Sequence, residues 1–266
     1  MDNTTSKLYR FCKWVAYILL FMILAFTVYF SVMSMISIKR KVNETNELYS
    51  KELDKNKKTN YKYYYDSLYI KLNKERALYQ SKLEMAKTDS IGLTINLIDS
   101  NANLELNGVI IHKTKISNFK LSKAFTSLDI MAISGIFGDP FIVKNEIATI
   151  KKEPIMVKMA PKDTSEYIPD ITPDTSNFEP VNYILEMQNG IRLFVYQTEK
   201  DSTMSLNNQF YFDLNDRLNT TWDAIKKVSA LKVPDYHLYI KIWIPKSDAK
   251  IIYRAMPKEG MVVVYF

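Results

Sequence analysis

The longest pattern along the chain is an apolar run over residues 14–38 that contains no charged residue. At 1.5 Å per residue this run makes roughly 37 Å of helix, enough to cross a hydrocarbon layer of about 30 Å. Basic residues flank it on both sides: Lys7, Arg10, Lys13, Lys39, Arg40 and Lys41. We therefore predict a short tail over 1–13 and a transmembrane anchor over 14–38. The last three basic residues are predicted to contact anionic lipid head groups.

A cleaved signal peptide is the main alternative to an anchor. Its apolar core would be about 7–15 residues long and would end in small residues. The run observed here is longer and ends near Met33, Met35 and Ile36. These features favour a retained anchor, and therefore a protein whose direct partners include the lipid bilayer.

The orientation of the anchor is set by competing signals. The positive charge that follows the run would hold the C-terminal side in the cytoplasm. Long domains, however, cross the membrane largely regardless of charge, and a basic tail is difficult to export. We expect the N-terminus inside and the C-terminal domain in the periplasm. A cytoplasm-facing tether is the alternative.

Residues 39–87 contain neither proline nor glycine, which favours a helical stalk that we place at 39–90. Apolar side chains recur there at a spacing of 3.5 residues, as in a coiled coil. They are Tyr61, Tyr65, Leu68, Leu72, Tyr79 and Ala86. Glu75 and Lys82 interrupt this seam. A short dimeric coiled coil over 61–86, giving a weak homodimer, and a helix packed on its own domain both remain open.

From residue 91 the pattern changes to the alternation of strands. The period-two run that contains Leu93, Ile95 and Leu97 is followed by a second run over 104–111, which together suggest a hairpin. A helix is predicted over 122–133, extended segments over 141–151 and 154–159, and a proline-rich loop over 161–180. The Asn189-Gly190 pair predicts a second hairpin between 183–187 and 191–197.

A helix is predicted over 212–231, and the chain is expected to end strand–helix–strand at 238–244, 247–256 and 261–266. One face of the first helix carries an apolar stripe: Leu214, Leu218, Trp222, Ile225 and Val228. The fold class is therefore α+β: an anchor and a stalk, then a domain over 91–266. That domain should hold a mixed or antiparallel sheet with two or three helices.

The net charge of +7 is distributed unevenly along the chain. Residues 1–90 hold 16 basic and 9 acidic side chains, whereas residues 91–266 hold 20 of each. The folded part is therefore neutral, which argues against nucleic acid as a partner. Cys12 is the one cysteine, so the sequence predicts no disulfide, no thiolate metal site and no thiol nucleophile in the domain. We predict no cofactor.

His237 and the residues after it carry the one family resemblance. The segment runs from Pro234-Asp235-Tyr236-His237 through a strand into Asp248-Ala249-Lys250, with Tyr253, Pro257 and Gly260 following. This end of the chain resembles that of L,D-transpeptidases. The resemblance implies that His237 takes the family histidine and Lys241 the arginine, while Tyr239 stands where the catalytic cysteine belongs. It therefore implies an inactive relative of the enzymes that cross-link peptidoglycan, with peptidoglycan as a candidate partner, because a tyrosine does not replace the thiolate acyl carrier.

Other polar residues carry weaker signals. His112 is expected to be a surface strand residue, and Asp213, Asp216 and Asp223 to lie on a solvated helix face. Trp222 and Trp243 are expected to be core or interface anchors. Tyr239 and Trp243 are candidates for partner binding by strand addition, although an internal strand is the favoured alternative.

Taken together, these patterns predict a non-catalytic scaffolding or structural protein of a bacterial cell envelope that displays an interaction domain. A degenerate L,D-transpeptidase-like cell-wall protein is the second hypothesis, with His237 as the candidate catalytic residue.

Overall fold

A computed structural model describes residues 2–54, 67–152, 179–199 and 202–266. Predictions on residues 61–66, on the extended segment over 154–159 and on most of the proline-rich loop lie outside these ranges. The described helices are α1 (Asp2–Asp54), α2 (Ser67–Ala86), α3 (Ile130–Ile136), α4 (Ser202–Ser229) and α5 (Lys246–Ala255). The described strands are β1 (Gly92–Asn96), β2 (Asn101–Leu106), β3 (Val109–Lys115), β4 (Asn118–Leu121), β5 (Phe141–Ala148), β6 (Asn182–Met187), β7 (Arg192–Gln197), β8 (Tyr239–Ile244) and β9 (Met261–Tyr265).

The fold class predicted from the sequence is confirmed. The described residues form a mixed sheet of nine strands with helices around it, preceded by one long apolar helix. That helix, α1, is long and apolar enough to cross a membrane. The strand–helix–strand ending is present as β8, α5 and β9.

The sheet curls back on itself through one chain segment. Its strand order is β3-β2-β1-β9-β5-β6-β7-β8-β4, so the two end strands are consecutive in the chain and are separated by only Ile116 and Ser117. The amide of Ile116 donates to Ser100 O and that of Ser117 donates to Trp243 O, both at 2.8 Å. The chain therefore leaves one half of the sheet and enters the other between these two residues. On the opposite side, β5 joins the halves because Phe141 and Ile142 pair with β9, whereas the strand pairs with β6 from Val143 onwards, with a bulge between Val143 and Asn145. Such bends and bulges are how strands pass from one sheet to another at a corner.

Two hairpin turns differ from the sequence prediction. The run over 104–111 is divided by a turn at Asn107-Gly108, where φ is +50° and +79°, so it forms parts of two strands. Two successive positive φ angles are the mark of a two-residue type I′ turn. The predicted β6–β7 hairpin is confirmed, but only Gly190, at +81°, takes a positive φ there.

The helix predicted over 122–133 is a 3-10 turn over Lys123–Ser127 followed by α3.

Helix α5 packs on strands from both halves of the curled sheet. Tyr253 contacts Tyr183 of β6 with ring centroids 5.0 Å apart. On the other side Asp248 binds His112 and Thr114 of β3. The inward face of α5 carries Ala249, Ile252 and Tyr253, all buried. The apolar face of this helix therefore packs against the sheet.

Helix α2 packs against β9 and α3 instead of standing off as a stalk. Its buried residues are Ala77, Ser81 and Met85. The approach is close, because a Cβ at Gly92 would overlap the sulfur of Met85. The absence of a side chain at Gly92 allows this distance. The seam residues Leu68, Leu72 and Tyr79 are 54–68% exposed, so they do not hold α2 to the domain.

The described chain divides into two compact units. One unit comprises residues up to 45 together with residues 216–236, and the other comprises residues 46–215 and 237–266. Within the first unit, the hydroxyl of Ser37 donates to Pro234 O at 2.6 Å. The helix predicted over 212–231 is α4, which begins ten residues earlier, at Ser202. Its stripe is not a core face, because Leu218 and Trp222 are about 60% exposed and only Val228 is fully buried.

Candidate functional site

His237 lies just before β8 and is exposed to solvent. Its Nδ1 lies 3.2 Å from the carbonyl oxygen of Gly190, the glycine of the β6–β7 turn. A backbone carbonyl can only accept a hydrogen bond, so Nδ1 donates to it and Nε2 is the ring nitrogen left for any other contact. The geometry is that of a histidine fastening a hairpin turn to the entrance of a strand.

The odd-numbered residues of β8 belong to an aromatic cluster. This cluster lies on the face of the sheet opposite to the one that the even-numbered residues occupy, and we call it the outer face. Even-numbered residues of β8 are buried, while Tyr239, Lys241 and Trp243 share the other face. These pack against side chains of β6, β7 and the first half of α4: Ile184, Phe194, Tyr196 and Phe212. Trp243 stacks on Tyr196 with centroids 5.2 Å apart, and Tyr239 meets Phe194 edge to face at 6.3 Å. We name this set of side chains the outer aromatic cluster.

Lys241 is the charged centre of the outer aromatic cluster. Its ammonium lies 4.5 Å from the ring centroid of Phe194 and donates to the hydroxyl of Tyr196 at 2.9 Å. That hydroxyl donates in turn to Asp213 at 2.6 Å, and Asp213 lies 3.7 Å from the ammonium. The cation is therefore balanced by a carboxylate and by aromatic faces. These bonds fasten the middle of α4 to β7 and β8.

Strand addition at Tyr239 and Trp243 is ruled out, because β8 has no free edge. It pairs in parallel with β7 over its whole length and antiparallel with β4 over residues 240–243. The alternative of an internal strand is therefore correct. The solvated face expected for Asp213 is also wrong, since this residue bonds Tyr196 and Lys241.

His112 has a partner that the sequence did not reveal. Its Nε2 lies 3.2 Å from one oxygen of Asp248, and Thr114 donates its hydroxyl to the other oxygen at 2.5 Å. A hydrolytic triad needs the imidazole between hydroxyl and carboxylate, so that it can take the hydroxyl proton. Here the carboxylate lies in the middle, and the three residues fasten α5 to β3.

A groove of about 470 Å³ lies beside α2 and the C-terminal strand. Its lining residues are Ser67, Ile70, Lys71, Lys74, Glu75, Ile98, Asp99 and Tyr265. Burial, and then the negative charge of Glu75, raise the pKa of Tyr265, so this phenol stays protonated at neutral pH. Two lysines and two carboxylates line the groove, and Lys71 lies 3.9 Å from Glu75. The mixed charge does not select one class of ligand.

The remaining predicted contact residues lie on α1. Lys39 and Arg40 are exposed just beyond the apolar run, and Lys41 is half-buried and 4.0 Å from Glu44. Among the residues that the structure describes, no group of three or more potential metal ligands comes together. Comparison with known proteins found no family model and no curated protein that matches this chain. The resemblance to L,D-transpeptidases thus stays a prediction.

Proposed function

We propose that the chain is a single-pass, membrane-anchored scaffolding protein of a bacterial cell envelope that displays a non-catalytic interaction domain. The observation that carries the proposal is the outward face of α2, where large apolar side chains lie on the water side of a helix that is already packed. They are Leu68, Leu72, Tyr79 and Leu83, each 54–68% exposed. We name them the α2 stripe.

The α2 stripe is more than a scatter of surface leucines. Isolated exposed apolar residues are normal, whereas a row along one helix face indicates a contact surface. Leu68, Leu72 and Tyr79 are also three positions of the seam recognised in the sequence. Their heptad spacing suits a second copy of the same helix. We propose a weak homodimer through α2, strengthened when two anchors share one membrane.

The proposal that the domain is non-catalytic is supported by the contacts of its candidate reactive side chains. His237 contacts a carbonyl, His112 contacts Asp248, and Asp213 is bound to Tyr196. Each bond joins one element of the fold to another. Each of these three side chains therefore has a contact that helps to hold the fold together.

Cross-linking of the full chain in membranes tests the stripe. In a Cys12→Ser background, Leu72→Cys should give disulfide-linked dimers under mild oxidation. Adding Leu68→Glu to that variant should abolish most of them, because two carboxylates would face each other in an apolar contact. Gln80→Glu, an exposed position of the same helix, is the matched control and should leave the dimer unchanged. If Leu68→Glu and Gln80→Glu have equal effects, the stripe is not the interface.

Orientation is tested by a pair of fusions after Phe266. With the domain in the periplasm, an export-dependent phosphatase is active there and a fluorescent protein that matures only in the cytoplasm is dark. The opposite pair of results would replace the envelope role by that of a cytoplasmic tether.

The enzymatic alternative has a direct assay. The purified full chain should neither cross-link nor exchange peptidoglycan tetrapeptides, because Tyr239 stands at the thiol position that the resemblance assigns. Turnover that is lost in His237→Ala would overturn the non-catalytic proposal and favour the transpeptidase-like one.

A further inference from the structure

The segment that follows α4 is fastened to the last turn of the apolar run. Ser37 is one residue from the end of that run, is 4% exposed, and donates its hydroxyl to Pro234 O at 2.6 Å. Both residues belong to the same compact unit. If α1 crosses the bilayer, the turn that follows α4 is therefore held at the level where hydrocarbon gives way to head groups.

This turn has an unusual residue at its centre. The amide of Leu231 donates to Val228 O and that of Lys232 donates to Lys227 O, at 3.0 and 2.8 Å. These are the two bonds of a Schellman motif, which requires a residue with positive φ, most often glycine. Leu231 takes that position with φ of +57°. A leucine there costs about 1–2 kcal/mol in backbone sterics compared with glycine.

Leu231 gains no packing that offsets this cost. Its side chain is 79% exposed. The residues on either side of the motif that usually touch through apolar groups are Lys227 and Lys232, so the motif is not closed by a hydrophobic contact. A single exposed leucine is common on protein surfaces, but this one also has a strained backbone conformation, and its position beside the anchor and the charges around it carry the argument further.

The charges around Leu231 indicate what that surface is. Lys226, Lys227 and Lys232 lie within five residues of it, and Lys39 and Arg40 follow the apolar run on α1. Two carboxylates oppose them: Asp223 is 3.4 Å from Lys226, and Asp235 pairs with Lys227. An apolar side chain surrounded by basic residues matches the surface of a bilayer with anionic head groups. Each Lys or Arg near such a surface contributes about 1 kcal/mol to membrane binding.

We propose that the Leu231 turn is a second membrane contact, in which Leu231 enters the bilayer interface and the surrounding lysines bind anionic head groups. This inference rests on the anchoring part of the proposed function and does not depend on the α2 stripe. It gives the unit formed by α1 and residues 216–236 two points of attachment to the bilayer. Rotation of that unit about the anchor is thereby restricted.

The experiment uses the full chain with Cys12→Ser in bilayers of phosphatidylcholine and phosphatidylglycerol. An environment-sensitive fluorophore is attached at Leu231→Cys, and in separate samples at Met22→Cys within the apolar run and at Thr220→Cys on exposed α4. Nitroxide lipids labelled near the head group should quench position 231 strongly. Lipids labelled deep in the acyl chains should quench position 22 more strongly than position 231. Replacing phosphatidylglycerol by phosphatidylcholine should weaken quenching at 231, and Lys232→Gln should reduce this dependence on lipid charge.

Quenching at 22 without quenching at 231 would overturn this inference alone. Absence of quenching at both would overturn the anchor and the inference together. Equal quenching at 220 and 231 would show that α4 as a whole lies in the interface, and would remove the special role of the turn.

Leu231→Asn supplies a readout that does not depend on labelling. Asparagine tolerates positive φ, so in water this change should leave the turn intact or strengthen it. If Leu231 enters the bilayer, Leu231→Asn should instead reduce the hydrogen-exchange protection of amides 228–236 in the same bilayers. Unchanged or increased protection would contradict the proposal.

Discussion

Helices α5 and α2 both pack on the sheet, but they turn different kinds of side chain towards it. Helix α5 buries Ala249, Ile252 and Tyr253. Helix α2 buries Ala77, Ser81 and Met85, while the four members of the α2 stripe face solvent. Helix α5 places Ile252 and Tyr253 inside its own domain, whereas α2 leaves four large apolar side chains exposed.

The difference shows which apolar surface is available to a partner. Burial of a side chain such as isoleucine contributes roughly 1.5–3 kcal/mol to folding, and α5 has already realised that gain. On α2 the equivalent surface is still exposed, so its burial can contribute to association. Substitutions in the two helices should therefore differ in their effects on folding and on association.

The largest effect is expected in α5. Ile252 is 1% exposed, so Ile252→Ala should lower the free energy of unfolding by about 2–5 kcal/mol through lost burial and the cavity left behind. Urea unfolding of the full chain in detergent, followed by tryptophan fluorescence, measures this change. The neighbouring Ile251 is 44% exposed, and Ile251→Ala should cost well under half as much. Equal losses would show that α5 does not present one face to the core.

A smaller loss is expected where α2 is fastened to β2. The ammonium of Lys82 lies 2.9 Å from Glu105, whose side chain is only 1% exposed. Lys82→Met should cost about 2 kcal/mol, because it leaves a buried carboxylate without its cation. The double variant Lys82→Met/Glu105→Leu should recover much of the loss. Lys71→Met, which breaks the exposed pair with Glu75, should cost less than about 1 kcal/mol. No recovery in the double variant would contradict this account.

Stability at alkaline pH should depend on the tyrosine contact between β6 and α5. Burial, and next the charge of Tyr253, raise the pKa of Tyr183 far above its ordinary value of 10.0. The folded state thus keeps a proton that the unfolded chain releases, so this stabilisation is complete below pH 10 and is lost as the pH rises further. Tyr183→Phe should therefore reduce the loss at pH 11 by about 1 kcal/mol.

The same variant should behave differently at neutral pH. The hydroxyl of Tyr183 makes no hydrogen bond to the described residues, so its removal should be nearly neutral or stabilising. Tyr211→Phe, at a position on α4 that is 64% exposed, should leave the alkaline transition unchanged. Alkaline unfolding that is identical in wild type and Tyr183→Phe would mean that other groups control it.

The parts of the fold that could be predicted from the sequence are those with local signals. The alternation in β8, the amphipathic α5 and the Asn189-Gly190 turn each lie within a few neighbouring residues. The turn at Asn107-Gly108 was missed because apolar residues continue on both sides of it. Heptad spacing identified Leu68, Leu72 and Tyr79 as one row, but spacing does not say whether a row faces the sheet or solvent.

The candidate site depended on contacts that no local pattern encodes. Asp248 meets His112 across 136 positions of the chain, and Lys241 meets Tyr196 across 45. Pairing of β8 on both sides follows from the path of the chain at Ile116 and Ser117, where the sequence shows no turn signal. The same path excluded the strand-addition hypothesis for Tyr239 and Trp243.

The smallest change in stability is expected on the α2 stripe itself. Leu72 is 54% exposed, and alanine is at least as good a helix former as leucine, so Leu72→Ala should change the free energy of unfolding by no more than about 0.5 kcal/mol. Ala77, 5% exposed, lies on the opposite face of the helix, where Ala77→Leu should cost about 1–3 kcal/mol by overpacking. Both are measured by the same urea unfolding, at a protein concentration low enough to keep the chain monomeric. A large loss in Leu72→Ala would mean that the stripe is packed within its own chain, and the distinction between α2 and α5 would fail together with the proposed interface. A small loss, combined with fewer cross-linked dimers in membranes, would place the contribution of this leucine in association instead of folding.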